Sequence, residues 1–199
     1  QKTDEKSCGS RVWRMTIHCK KPPTTLIHIP KTAGSAISRW MIRNASGKWV
    51  AKNTHGSKHA TKQRARSLLK HDLGATIVCI RNPWDRFVSA YFYYKQRAKK
   101  PNFIEKLTFE QFIHNERHGC VDRPCNYYFD NVDILLRYEN LSEDFRKVQH
   151  HFNNYSNLSS VNKSKHDRDY RKYYTSPELV DIVAKKHSAD IERFGYSFE

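Results

Sequence analysis

The stretch that decides the fold is LIHIPKTAGSAI, which runs from Leu26 to Ile37. A short apolar run ends at Pro30, Lys31 and small or hydroxyl-bearing residues follow, and an apolar pattern then resumes. This order is typical of a strand, a turn and a helix, and the free N–H groups at a helix N-terminus bind anions. The spacing is not the G-x-x-x-x-G-K-[ST] of an ATP-binding P-loop. The sequence therefore predicts an anion site without identifying the anion.

The composition narrows the class of partner. The chain has 199 residues, with 36 Lys or Arg, 20 Asp or Glu and a formal net charge of +16 at pH 7. This length fits one domain with its own core. Such a basic excess favours nucleic acid, an acidic membrane, a sulfated or carboxylated glycan, or a nucleotide, without choosing among them. No apolar run is long enough to span a membrane. Because the first residue is Gln1, we expect a trimmed or mature form that has lost its targeting signals.

The five cysteines are compatible with more than one redox state. Cys79 lies in an apolar run and is expected to be a buried thiol. Cys120 and Cys125 could close a small disulfide loop, and Cys8 could pair with Cys19, or all five could be reduced thiols. A zinc site is not expected, because no C-x₂-C pair accompanies a matching pair of histidines.

Strand and helix patterns alternate along the chain. Residues 1–23 are polar and basic and are interpreted as an N-terminal arm or tail, and residues 24–199 as a single domain. Strands are predicted at Thr24–Ile29, Gly74–Ile80 and Val132–Leu136. The predicted helices are Gly34–Asn44, Thr61 (as cap) to Leu69, Trp84–Arg97, Thr108–Glu116, Leu141–Phe152 and Ser176 (as cap) to about His187. This alternation predicts an α/β fold whose parallel sheet has helices on both faces.

A second stretch, CIRNPWDRFVSAYFYY, begins at residue 79 with the end of a buried strand. Arg81 follows that strand at its carboxyl end, where α/β sheets place their ligands. Ser89 lies two turns into the next helix, so Arg81 as a fork and Ser89 as a hydroxyl donor could hold one phosphate. Alternatively, Arg81 and Arg86 could form structural ion pairs with Asp85 or another acid, and an Asp85–Arg86 pair is expected.

Several stretches together are similar to one enzyme family. HIPKTAGSAI resembles the 5′-phosphosulfate loop, and RNPWDRFVSAY the 3′-phosphate loop, of sulfotransferases that use 3′-phosphoadenosine 5′-phosphosulfate (PAPS). LLRYENLSEDF and ADIERFGYSF are similar to the family's third strand with its helix and to its C-terminal signature. The similarity covers nearly the whole chain. It is greatest to Golgi carbohydrate sulfotransferases and their bacterial counterparts, with heparan 2-O-type enzymes as more distant relatives.

The resemblance implies a P-loop-like sulfotransferase fold, PAPS as donor, 3′,5′-ADP as product and no required metal. Lys31 would neutralise charge on the leaving oxygen, and the hydroxyls of Thr32 and Ser35 would add donors. A histidine base is implied between the two loops, where KHAT at His59 and HG at His55 are similar to family strings. The residues implied in donor binding are Pro30, Lys31, Thr32, Ala33, Gly34, Ser35, Ala36, Arg81, Ser89, Lys163, Lys165 and Arg168.

The acceptor is expected to be a hydroxyl of a carbohydrate, possibly an anionic one, with no nucleic-acid partner and no membrane contact by this segment. Five N-x-[ST] sequons favour the Golgi lumen or secretory pathway for a eukaryotic source, and the cytoplasm is expected for a bacterial one. They lie at Asn44, Asn140, Asn154, Asn157 and Asn162. The alternatives are a P-loop kinase or NTPase, a non-catalytic heparin-like polyanion-binding module, and protein-tyrosine or small-molecule sulfation.

Overall fold

The computed structural model describes residues 13–14, 16–49, 52–53, 59–69, 72–97, 106–115, 118–159 and 167–199. The strands are β1 (Trp13–Arg14), β2 (Ile17–Lys20), β3 (Pro23–Leu26), β4 (Lys48–Trp49), β5 (Lys52–Asn53), β6 (Ala75–Ile80) and β7 (Ile134–Arg137). The α-helices are α1 (Gly34–Asn44), α2 (Lys62–Leu69), α3 (Pro83–Arg97), α4 (Phe109–His114), α5 (Leu141–Phe152), α6 (Pro177–Lys186) and α7 (Ser188–Phe194).

Within the described residues, the main sheet has five strands in the order β4-β2-β3-β6-β7, and β1 pairs separately with β5. β6 is parallel to both β3 and β7, with Thr24 opposite Ala75 and Ile77 opposite Ile134. The predicted parallel sheet is therefore confirmed for these three strands. β2 pairs antiparallel with β3 and with β4, which extends the sheet beyond its parallel part.

β2 corrects the interpretation of residues 1–23 as an arm. Ile17 and Cys19 are fully buried, and His18 is nearly so, which places this segment inside the sheet. The pattern was missed because the strand is only four residues long and is formed by antiparallel pairing, which a short polar-apolar mixture does not reveal.

Both faces of the sheet are covered by helices, as the sequence predicts. Along β6, Ile77 and Cys79 pack in the cluster that holds α1 and α5, whereas Val78 and Ile80 pack in the cluster that holds α2. Successive side chains of a strand point to opposite faces, so a continuous apolar run is what a doubly covered strand requires. A third cluster, built from α3, α4 and α6, lies beside these two.

The four cysteines in the described part of the chain are free thiols, so a Cys120–Cys125 disulfide does not form. Cys125 is buried in the cluster with α2, whereas Cys120 packs against the α3 cluster. Burial raises the pKa of the Cys125 thiol to about 12. Cys8 lies outside the described residues. Within the described ranges, no helix has both the length and the apolar character needed to cross a bilayer.

Candidate functional site

The turn between β3 and α1 has an alternating backbone. Lys31 and Ala33 have φ values of 67° and 63°, whereas Thr32 and Gly34 are not in the positive-φ region. Such alternation turns successive N–H groups into one concavity, called a nest, which binds anions. Each left-handed residue with a side chain costs about 1–2 kcal/mol. Strain of this kind is characteristic of a functional site.

The start of α1 adds further donors to this nest. Ala33 at the N-cap makes no side-chain hydrogen bond, and the first turn carries no acidic residue. The N–H groups of Ala36 and Ile37 are bound by the carbonyl of Ala33. Those of Gly34 and Ser35 have no partner among the described residues. They are therefore available to an anion at the positive end of the helix.

Gly34 is required for space rather than for backbone freedom. A Cβ atom there would lie 2.0 Å from Cδ2 and 2.5 Å from Nε2 of His28. The atoms that a side chain at position 34 would meet belong to an imidazole ring. His28 follows β3, so this contact fixes the helix start against the end of the strand.

The hydroxyl of Thr32 serves the turn itself. The side chain is fully buried, and Oγ1 donates to the carbonyl of Ile29 at 3.1 Å. Its proton is therefore not offered to a ligand, which differs from the expected donor role. Ser35, which is half-buried, keeps that role as a prediction.

Lys31 lies against α3. Its side chain is half-buried, and Nζ is 4.1 Å from the centroid of the Tyr93 ring, a cation–π contact. Asp85, Ser89 and Tyr93 are spaced by four residues and so share one face of α3. Ser89 is 4% exposed, and no described residue hydrogen-bonds its hydroxyl. The face that carries Ser89 therefore also carries the ring that holds Lys31.

Arg81 is buried beside the same turn. Nε and one Nη each donate to a carboxylate oxygen of Asp85 at 2.7 Å, and the other Nη donates to the carbonyl of Lys31 at 3.1 Å. The guanidinium carbon is 3.8 Å from the centroid of the Tyr138 ring. Of the five N–H groups of a guanidinium, two remain for a ligand such as a phosphate.

Arg86 does not pair with Asp85, so that expected ion pair is wrong. Its side chain is fully buried and donates to three backbone carbonyls: Nε to Pro30 at 3.0 Å, and the two Nη atoms to Arg123 at 2.8 Å and Cys120 at 3.5 Å. Sequence reasoning missed this role because backbone carbonyls leave no trace in a residue pattern. The available signal for this role was the position of Arg86 in the first turn of the helix that follows a buried strand.

Asn82 is a further residue that the sequence analysis missed. Its Oδ1 accepts the N–H of Trp84 at 3.0 Å, which caps α3, and its Nδ2 donates to the carbonyl of Ser197 at 2.8 Å. The asparagine in RNP therefore joins the start of α3 to the C-terminal signature. The Asn-Pro pair before an apolar helix was a visible cap signal.

His59 lies next to the turn in a defined tautomer. Its Nδ1 is 2.7 Å from the carbonyl oxygen of His28, and the two rings pack edge to face at 4.8 Å. Because a carbonyl only accepts, Nδ1 carries the proton, and Nε2 of the neutral ring is the acceptor nitrogen. A neutral imidazole with its acceptor nitrogen fixed in this way has the form of a general base.

The structure thus brings the turn at residues 30–36, Arg81, Ser89 and His59 together at the carboxyl ends of β3 and β6 and the adjoining helices. Arg168 is exposed and forms no ion pair within the described ranges. His55, Lys163 and Lys165 lie outside the described residues, so their predicted roles stay predictions.

Comparison with known proteins gives one family. The family model described as "Sulfotransferase family" matches residues 14–197, which include Arg14 of β1 and all of β2. An "Uncharacterized protein" of Archaeoglobus fulgidus is 31% identical over 116 residues, which cover 55% of this chain and 76% of that protein. No solved structure matches the chain.

Proposed function

The chain belongs to the sulfotransferase family, and we propose that it transfers a sulfuryl group from PAPS to a hydroxyl of a carbohydrate acceptor. The observation that carries this proposal is the nest at residues 31–34, which has Lys31 within it and His59 beside it. A concavity of backbone N–H groups with one ammonium fits a phosphosulfate.

The donor side of the site is explained by the residues of the turn. PAPS supplies the sulfuryl group when bound. The N–H groups of Gly34 and Ser35 hold its anionic end, and the Lys31 ammonium neutralises negative charge that develops on the leaving oxygen. Arg81 and Ser89 hold the 3′-phosphate. Arg81 uses the two N–H groups that do not donate to Asp85 or to the carbonyl of Lys31. A 3′-phosphate contact distinguishes PAPS from ATP.

The acceptor side requires a base. His59 takes the proton of the attacking hydroxyl on Nε2, while its Nδ1–H stays on the carbonyl of His28. The imidazolium that forms is therefore held in place throughout the transfer. His55 is the second candidate for this role. The chain otherwise positions the two reactants for in-line transfer, which together with charge stabilisation lowers the barrier.

The nature of the acceptor and the compartment extend the proposal. A net charge of +16 supports an acceptor that is itself anionic, held with the donor by Lys163, Lys165 and Arg168. Asn140 and Asn157 are exposed in sequons, which supports a glycoprotein of the Golgi lumen if the source is eukaryotic. For a bacterial source we propose the cytoplasm. Neither nucleic acid nor a membrane is a proposed partner.

The test is transfer of radiolabelled sulfate from PAPS to a panel of glycans, peptides and small alcohols. We expect label in a glycan, and a loss of at least about a hundredfold in kcat for Lys31→Ala with an unchanged Tm. Lys147→Ala is the matched control, because the single ion pair of this exposed lysine with described residues is to Asp144 on α5. Near-normal turnover of Lys31→Ala would refute the mechanism.

The same panel separates the other functions. Label on tyrosine peptides or small alcohols alone would replace the carbohydrate acceptor. ATP that competes with 3′,5′-ADP at equal affinity would indicate a kinase or NTPase. Heparin binding without any transfer would indicate a polyanion-binding module.

A further inference from the structure

Two arginines near the start of α3 hold consecutive carbonyls of the nest. Arg86 donates to the carbonyl of Pro30 at 3.0 Å, and Arg81 donates to that of Lys31 at 3.1 Å. Arg81 is itself fixed by both oxygens of Asp85. Arg86 is fixed by its second attachment, to the turn that contains Arg123. The strained part of the turn is therefore clamped from one side.

These contacts determine where the N–H groups point. In a trans peptide bond the C=O and N–H groups point in opposite directions. Because Arg86 holds the carbonyl of Pro30, the N–H of Lys31 points away from Arg86. In the same way, the N–H of Thr32 points away from Arg81. Two successive donors are thereby turned to the side opposite the guanidinium groups, as a nest requires.

The burial of Arg86 is costly as a device for stability alone. The guanidinium is fully buried, and its partners in the described part of the chain are carbonyl oxygens rather than a carboxylate. Arg86 also acts electrostatically on the buried carboxylate of Asp190, but even a buried pair of opposite charges often contributes no more to stability than apolar side chains of similar volume. A requirement for the geometry of the Pro30 peptide accounts for its presence.

We propose that Arg86 is a positioning residue that sets the donor geometry of the nest and thereby the affinity for the 5′ end of the sulfuryl donor. This inference rests on the proposed function, because it assumes that the nest holds the 5′ group. Arg86 does not contact the donor. It acts through the peptide between Pro30 and Lys31, so its loss weakens contacts to the 5′ group and spares contacts to the 3′-phosphate.

The experiment measures the affinities of 3′,5′-ADP and of adenosine 3′-phosphate, which lacks the 5′-phosphate, by calorimetry. The variant is Arg86→Lys, studied at a temperature where circular dichroism shows it fully folded. Arg193→Lys is the matched control, since Arg193 also donates to backbone carbonyls, those of Phe129 and Asp130, which precede β7 at the other end of the sheet. We expect the preference for 3′,5′-ADP to fall about tenfold in Arg86→Lys, with adenosine 3′-phosphate binding unchanged.

The outcomes separate this inference from the proposed function. If the wild-type protein does not bind 3′,5′-ADP, the proposed donor is wrong and the inference falls with it. If the wild type binds and Arg86→Lys keeps the full preference, or loses affinity for both ligands equally, the positioning role alone is refuted. Arg86→Gln is the second variant if Arg86→Lys does not fold. If neither folds while Arg193→Lys does, Arg86 serves the fold and the proposal is overturned.

Discussion

Replacing Gly34 by alanine tests the packing between the turn and the two histidines. The new Cβ would lie 2.0 Å from Cδ2 of His28, so the ring must retreat by about 1.4 Å to reach the 3.4 Å of ordinary contact. His59 packs on this ring and binds the His28 carbonyl, so the proposed base moves with it. A misplacement of 1 Å costs about a hundredfold in rate. We therefore expect kcat of Gly34→Ala to fall by about that factor.

The effect on stability should be small by comparison. Overpacking costs about 1–3 kcal/mol, whereas alanine is favoured over glycine in a helix by about 1 kcal/mol. The φ of Gly34 is not positive, so no backbone strain is added. The net loss is then about 0–2 kcal/mol, which urea unfolding followed by circular dichroism measures.

Two further variants make the reasoning refutable. His28→Ala in the Gly34→Ala background removes the clash, so we expect the double variant to be more stable than the two single losses would give if they were additive. Gly195→Ala is the control, because its φ is +64° and nothing lies within 4 Å of a Cβ there. It should lose about 1–2 kcal/mol without losing activity. Full sulfate transfer by Gly34→Ala would show that the His28 contact does not position the site.

Three other predictions concern the donor site and the core. Arg81→Ala should weaken 3′,5′-ADP binding by at least about tenfold in calorimetry, and unchanged affinity would exclude its 3′-phosphate role. Burial lowers the pKa of His118 and of His187, so the unfolded chain binds protons first as the pH falls below about 6.5. The free energy of unfolding should therefore decrease from pH 7.5 to 5.5, and less so in His187→Gln; a flat profile in the wild type would contradict this. Thr108→Ala removes the hydroxyl that accepts the N–H of Gln111 in a capping box, while the backbone N–H of residue 108 can still donate to Oε1 of Gln111, and should cost about 1 kcal/mol in urea unfolding.

Elements defined by local signals were predicted well. The helices Gly34–Asn44 and Leu141–Phe152 have the predicted bounds, and the helix from Pro177 begins after the predicted cap. Apolar spacing and start signals lie within the element itself, so one sequence suffices to find them. β2 was missed because it is only four residues long and is stabilised by pairing with β3 and β4, which the residue pattern of β2 itself does not show.

The candidate site likewise has some features that local sequence signals predict and others that depend on distant parts of the chain. LIHIPKTAGSAI indicated an anion-binding turn, but positive φ at Lys31 and Ala33 was not predictable, since neither residue is a glycine. The carbonyls of Pro30 and Lys31 are held by Arg86 and Arg81, which lie some fifty residues further along the chain. Carbonyl partners carry no side-chain signal. The chemistry of the site was therefore visible in the sequence, whereas the means of holding it was visible only in the fold.

The hydrogen bond from Arg86 to the carbonyl of Cys120 makes Cys120 a suitable position for a fluorescent probe of the turn at residues 30–36. Of the described cysteines, Cys19, Cys79 and Cys125 are buried, and Cys120 is partly accessible. The carbonyl of Cys120 accepts a hydrogen bond from Arg86, whose Nε holds the turn that carries Lys31. A fluorophore on this thiol would be attached to the same residue whose carbonyl binds Arg86, and Arg86 in turn binds the turn at residues 30–36. Its emission could therefore be used to follow loading of the nucleotide in real time, without labelling the substrate.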